Sequence, residues 1–258
     1  MAPTPLELCE DFVLHIPPRH ELNAVITAGY VCVPRGPGGS LVQRIRLVDA
    51  GEVHAAVEQT RAIAREAERS RVIWWVGELS TPDDIVDLLA AEGLVPDEDE
   101  PLLGSLVLDH RPAGSPPEIE IVRVDTLEDF LAAQEVDLMT MEITPEERDR
   151  MRSGNAGHWE SVRDEGIIKT YLARVDGRPV AFARSAYGAA GVALLGGGTL
   201  EAKRGNGYYT ALVHARWEDA VKRGTPLLCT QAGKLSRPIL ERLGFACLGE
   251  IRVLVDHL

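Results

Sequence analysis

Two rhythms of apolar and polar positions run along this chain. Between residues 49 and 68, Val53, Ala56, Val57, Thr60, Ile63, Ala64 and Ala67 recur at three- and four-residue steps, the period of a helix with one buried face. Asp49, with Glu52 three residues later, marks its start as a capping box. Residues 72–76 are a short apolar run, read as a buried strand. Thr81 and Pro82 open a second helix whose Ile85, Leu88 and Leu89 face inward, and Gly93 ends it. Residues 102–108 form another strand. Upstream, residues 6–14 read as a short amphipathic helix, and 24–33 and 42–48 as strands. The segment PRGPGGS, 34–40, is glycine-rich but leads into a strand rather than a helix, so it reads as a hairpin-like turn and not a phosphate loop. The acidic run 97–100 reads as a solvated loop.

The segment HRPAGSPPE, 110–118, carries three prolines, a glycine and a serine, and is the clearest boundary in the chain. It divides the sequence into a domain of residues 1–115 and one of residues 116–258. Beyond it the pattern predicts a strand at 119–124, helices at 127–141 and 144–152, and strands at 167–175 and 179–187 joined by Asp176-Gly177, a hairpin signal. A strand at 192–199 follows. Tyr209, Val213, Trp217, Ala220 and Val221 then mark one face of a helix stopped by Gly224. A short strand at 227–230, a short helix and Leu-Gly-Phe at 243–245 close the order. The halves look related: GELSTP at 77–82 matches GKLSRP at 233–238 at four positions, and each lies between a short apolar strand and a helix. A duplicated arrangement follows.

Composition places the chain among globular proteins, with 45% hydrophobic and 26% charged residues. No apolar run reaches the roughly 18–20 residues of a membrane span, and the opening residues lack a basic start and an apolar core. A cytoplasmic location is expected. Cys9, Cys32, Cys229 and Cys247 show no metal-ligand spacing, so reduced thiols and no metal are expected. Forty acidic against 27 basic residues give a net charge of −13. Such a surface argues against nucleic acid and anionic membranes as partners and suits a cationic amine.

The stretch RGNGYYTALVHARW, 204–217, carries the chemistry. Glycines at 205 and 207 let the backbone approach a ligand without a Cβ, and the first N–H groups of the helix have no internal acceptor. Together they form a cradle for a phosphate. A dinucleotide fingerprint does not fit, because the third glycine is missing. Neither does a triphosphate loop, which would need Gly-Lys-Ser/Thr.

The order of strand, Arg-x-x-Gly turn, long helix, short strand, short helix and Leu-Gly-Phe resembles the acyl-CoA-binding core of the GCN5-related N-acetyltransferases (GNAT) over residues 118–254. The resemblance implies an α/β fold of the α+β kind: a mixed, mostly antiparallel sheet flanked by helices, in two related halves of which the first is degenerate. It implies acetyl-CoA as co-substrate and an amine as acceptor, the amine attacking the thioester directly. Arg204 and the amides of Gly205, Asn206, Gly207, Tyr208 and Tyr209 would hold the pyrophosphate. Leu195, Gly197, Gly198, Thr199 and Leu200 would pair with the pantetheine arm and aim a backbone N–H at the thioester oxygen. The first half offers Asp49-Ala50-Gly51 at its helix start, an acidic side chain where phosphate would sit, so no CoA is expected there.

Two departures stand out. Tyr209 stands where the family has Gly or Ala, and Leu240 stands where many members carry the tyrosine that protonates the leaving sulfur. Ser236 is the nearest hydroxyl on the same helix; Tyr208, Tyr187 or water are other donors. An alkyl amine of pKa about 10.4 costs about 4–5 kcal/mol to deprotonate at pH 7, so a base is expected. Glu142 is the first choice, with Asp137, His158 and Glu201 as others. His214 reads as a helix-face residue. A non-catalytic acyl-CoA-binding sensor or interaction module remains the alternative, and a homo-oligomer is compatible with either.

Overall fold

The structure is a computed structural model that describes residues 2–15, 24–36, 38–141, 143–163 and 166–258. Its contacts form two compact units that interleave along the chain. The first holds residues 1–107, 231–238 and 246–258, and the second residues 108–230 and 239–245. The proline-rich segment at 110–118 therefore belongs to the second unit, and the last thirteen residues belong to the first.

In the first unit, α1 (Pro5–Glu10) is closed by a capping box between Thr4 and Glu7. A 3-10 turn at Phe12–Leu14 follows in place of the longer helix expected. The strand expected at 24–33 is broken into β1 (Val25–Ile26) and β2 (Val31–Gly36), because the Thr27 hydroxyl binds Tyr30 main chain and turns the chain. β2 pairs antiparallel with β3 (Gly39–Gln43) across the glycine-rich segment, which is a hairpin as expected. α2 (Ala50–Glu66) is capped by Asp49, whose carboxylate accepts the Glu52 N–H at 3.1 Å. Glu52 reaches back one residue further than expected, to the Val48 N–H at 2.9 Å. β4 (Arg71–Val76) runs parallel to β3. α3 (Ile85–Ala91) starts three residues after Pro82, with Asp84 at its N-cap. β5 (Val95–Pro96) and β6 (Leu102–Leu108) complete the first half of the chain.

The strand that joins these pieces lies at the other end of the sequence. Skipping the second-unit elements in between, β12 (Ala246–His257) pairs antiparallel with β4 over residues 252–257, with β6 over 246–252 and with β5 at 254–255. Trp74 is fully buried in the core beside α2, with Tyr30 6.5 Å away; Trp75 is partly buried on the opposite face.

The second unit starts with β7 (Glu120–Arg123), then α4 (Leu127–Thr140), capped by Thr126. α5 (Pro145–Val162) runs ten residues beyond the helix expected at 144–152. β8 (Ile168–Val175) and β9 (Arg178–Tyr187) form the expected hairpin, with Asp176 and Gly177 both at positive φ. β10 (Val192–Thr199), α6 (Tyr208–Lys222), β11 (Leu228–Ala232) and α7 (Arg237–Arg242) follow. Strand order is β11-β10-β9-β8-β7. α4 covers one face through Phe130, Ala133 and Val136 against Leu172 and Phe182. α6 covers the other through Leu212 against Tyr171, Ala181 and Ala183.

The two repeated turns share one device. At Gly77 the following N–H groups of Glu78 and Leu79 donate to the Glu10 carboxylate at 3.0 and 3.1 Å. At Gly233 the N–H of Lys234 donates to Glu100 at 2.6 Å. A Cβ on either glycine would lie 2.3 or 2.2 Å from that carboxylate. Glu100 is thus not a solvated member of an acidic loop, as its neighbours suggested: it caps the second turn as Glu10 caps the first.

Candidate functional site

The second unit brings the predicted phosphate turn and the end of β10 together. Pairing between β10 and β11 is parallel and short, limited to Val192 with Leu228 and Ala193 with Cys229. One residue later the Thr230 hydroxyl donates to the Leu194 carbonyl at 3.0 Å. From Leu195 to Thr199, β10 keeps β9 on one side and has no strand partner on the other among the described residues. Backbone groups pointing away from β9 are therefore open for hydrogen bonding. A bulge adds to this: Leu195 pairs with Arg184 and Gly197 with Ala183, leaving Gly196 out of the ladder at φ +26°.

After Leu200 a 3-10 turn at Glu201–Lys203 leads into Arg204, Gly205 and Asn206, all exposed. The turn is held from within. Asn206 Nδ2 donates to the carbonyls of Lys203 and Arg204, and Arg204 Nε to that of Thr199 at 3.4 Å. Gly205 and Gly207 have φ of +79° and +78°, which only glycine adopts without strain. At Gly207 a Cβ would also stand 3.1 Å from Pro117.

Gly207 is the N-cap of α6, and no side chain caps it. The first intrahelical bond at this end runs from the Ala211 N–H to the Gly207 carbonyl, so the N–H groups of Tyr208, Tyr209 and Thr210 have no acceptor inside the helix. No acidic residue occupies the first turn. In α2 and α4, by contrast, the Asp49 and Thr126 side chains close the N–H group that corresponds to Thr210, accepting from Glu52 and Asp129.

The Tyr209 ring packs over β10 at Gly197, where a Cβ would lie 3.4 Å from Tyr209 Cε2, an ordinary contact, and 3.3 Å from the Phe182 carbonyl. On the other face of the sheet, Gly198 lies under the end of α4, where a Cβ would be 2.7 Å from Thr140 Oγ1.

The proposed acid and base residues fall in different places. Glu142 lies outside the described residues, and so does the side chain of His158. Asp137 accepts from Arg184 Nη2 at 2.7 Å, and Gln134 shares that nitrogen at 2.6 Å. Glu201 is exposed in the turn. Ser236 belongs to the first unit, while the turn and β10 belong to the second. Leu240 is 1% exposed and packs as a core residue. Tyr187 is also buried; its hydroxyl meets that of Tyr171, which donates to Asp219 Oδ2 at 2.7 Å. Burial, ahead of Tyr187 and Asp219, drives the Tyr171 phenol far above its ordinary pKa. His214 is not a surface residue of its helix. It is 4% exposed and bonds to the Ala113 main chain, and burial lowers its pKa.

Two residues of this region escaped the sequence reading. Thr230 marks the point where β10 and β11 part. Arg216, four residues after Leu212 on the buried stripe of α6, is 1% exposed; a charged residue at that spacing was the available signal.

In the first unit the corresponding strands part after Val42 and Trp74 but close again. Thr81 bridges to Arg46, its N–H donates to the Ile45 carbonyl, and its hydroxyl to Leu47. The gap between is a small polar cavity lined by Gln43, Arg44, Trp75, Ser80 and Glu10.

No protein-family model matches the chain. No curated protein matches it either. Solved structures do. A GCN5-related N-acetyltransferase from Kribbella flavida is 20% identical with a TM-score of 0.64, over 90% of this chain and 88% of that one. A tandem GNAT protein from the clavulanic acid biosynthesis pathway is 17% identical with a TM-score of 0.61, over 91% and 81%. A conserved protein of unknown function from Staphylococcus epidermidis is 12% identical with a TM-score of 0.62, over 90% and 92%. At these identities the likeness is one of fold. The mixed, mostly antiparallel sheet flanked by helices is the architecture expected from the sequence.

Proposed function

We propose, proceeding from the GCN5-related N-acetyltransferase fold that this chain has, that it transfers an acetyl group from acetyl-CoA to an amine by direct attack on the thioester. The observation that carries the reading is the uncapped N-terminus of α6 standing directly after the unpaired edge of β10. The first offers N–H donors and a positive dipole end to a pyrophosphate. The second offers backbone groups to an amide-bearing arm. Arg204 and the amides of Gly205 to Tyr209 hold the phosphates in this account. Leu195, Gly197, Gly198, Thr199 and Leu200 line the arm, and the bulge at Gly196 turns a backbone N–H toward the thioester oxygen.

We assign CoA binding to the second half alone. In the first, the Asp49 carboxylate already occupies the helix start and Thr81 closes the strand gap. Residues 1–115 then serve as a degenerate GNAT-like domain and 116–258 as the binding domain, operating in the cytoplasm. Asp137, engaged by Arg184, is a poorer base than Glu142, which we keep as the acceptor of the amine proton. The absence of a hydroxyl at Leu240 favours one rival, a protein that binds acyl-CoA without transfer.

Release of free thiol from acetyl-CoA across a panel of amines separates the two. Amine-dependent release that disappears in Gly207→Val is the expected result. Binding of CoA with no release for any amine, at any pH, favours the sensor.

A further inference from the structure

Arg216 is a buried cation whose hydrogen bonds are incomplete. Its Nε donates to the Leu212 carbonyl at 3.0 Å and its Nη1 to the Arg184 carbonyl at 3.3 Å, while Nη2 is buried without a hydrogen-bond partner. No carboxylate among the described residues pairs with it. A buried cation in this state is costly unless something compensates it. Burial pushes its pKa down and the phenols of Tyr209, Tyr171 and Tyr187 push it back up.

Its position is tied to the bulge. Arg184 pairs with Leu195 on β10, the residue before the displaced Gly196, so Nη1 holds the β9 carbonyl opposite the irregularity. The Tyr209 ring stands between, its centroid 5.8 Å from the guanidinium carbon and its edge against Gly197. The charged and titratable groups around Arg216 can be taken element by element. From α6 these are Tyr209, Asp219 and Arg223; from β8, Tyr171; from β9, Tyr187 and Arg184. The Asp219 carboxylate accepts from the Tyr171 hydroxyl and pairs with Lys222 at 3.6 Å, and Arg223 lies over the Tyr187 ring at 4.1 Å. Arg184 turns to the opposite face, toward Gln134 and Asp137.

We propose that Arg216 is the group that stabilises the departing thiolate, the buried cation bonded to the strand opposite the bulge taking the place of the tyrosine that Leu240 replaces. This rests on the acetyl-transfer reading above. In the step, the amine nitrogen bonds to the carbonyl carbon, the carbon–sulfur bond breaks with its electron pair going to sulfur, and the amine proton passes to the base or to water. The sulfur leaves as an anion that the guanidinium field favours, and solvent protonates it afterwards. No proton is required from Leu240 or Ser236.

The test is the ionisation of CoA bound to the full chain, followed by the ultraviolet absorbance of its thiolate against pH. An opposite charge within a few ångströms lowers a pKa by about one to three units. Bound CoA should therefore ionise at least about one pH unit below free CoA. The shift should vanish in Arg216→Met and persist in part in Arg216→Lys, with CoA still bound. A purely structural Arg216 would leave the bound thiol titrating like free CoA, and that result in the unaltered chain overturns the proposal even if neither variant folds. A shift that survives Arg216→Met overturns it too. Failure of the unaltered chain to bind CoA is a different outcome, which removes the acetyl-transfer reading itself.

Discussion

Single residues decide how the two repeated turns are built. Gly77 has ordinary backbone angles; its constraint is the Glu10 carboxylate, which sits where a Cβ would go. Gly77→Ala must expel that carboxylate from two N–H donors, so we expect a loss of about 1–3 kcal/mol. In a Glu10→Ala background the same substitution should cost little, a coupling that a double-mutant cycle by urea unfolding measures directly. Additive losses would show that the glycine answers to something else. Glu10 also sets a pH dependence. Burial raises its carboxyl pKa, against the pull of the Leu79 and Glu78 N–H groups. A carboxyl with a raised folded pKa holds more protons folded than unfolded, so its contribution to stability falls as pH rises from the ordinary carboxyl range through the raised value. Melting temperature against pH should therefore decline less steeply across that window in Glu10→Gln than in the unaltered chain.

At the scale of elements, α6 is the piece whose start and middle do different work. Its N-terminus is left uncapped, and its middle is fastened by buried polar groups. His214 fastens the segment 110–117 through Ala113, and Gly207 meets Pro117. In the sequence that segment reads only as a boundary, because proline and glycine signal irregular backbone whether or not it is docked. Burial lowers the His214 pKa, ahead of its bond to Ala113, which raises it. The unfolded chain then binds more protons just below the ordinary histidine pKa of about 6.5, and stability is lost as pH falls through it. His214→Gln should flatten this acid limb in a urea-unfolding series; an unchanged limb would assign the acid sensitivity to other groups. The elements themselves were largely legible. The helix stripes at 53–67 and 209–220, the Asp176-Gly177 hairpin and the strand ending at Thr199 all lie where period and turn chemistry put them, whereas Val221, counted on the same helix face, is exposed. Arg216 was missed because an apolar stripe read by period hides one charged member.

The whole molecule departs most from a linear reading. Residues 246–257 alternate only weakly in polarity, so nothing local marks them as the strand between β4 and β6 in the sheet of the first unit. That pairing depends on contacts across about 140 to 185 residues, which no window of sequence contains. One consequence concerns fragments. Residues 116–258 alone would carry β12 stripped of β4, β5 and β6, a long open edge of the kind that aggregates. Residues 1–115 alone would lack the strand that joins β4 to β6. We expect each fragment, by size-exclusion chromatography and circular dichroism, to be aggregated or poorly folded where the full chain is not. A monomeric, cooperatively folding 116–258 fragment would contradict the interleaving.

The central claim is that one half of this chain holds acetyl-CoA, through the uncapped start of α6 and the open edge of β10. Calorimetric titration of the full chain with acetyl-CoA, beside Gly207→Val shown to be folded by circular dichroism, addresses it most directly. The account predicts one equivalent bound per chain, and none in the variant, because a Cβ there meets Pro117 and the left-handed φ cannot be kept. No binding by the unaltered chain, two equivalents per chain, or undiminished binding by Gly207→Val would each contradict it.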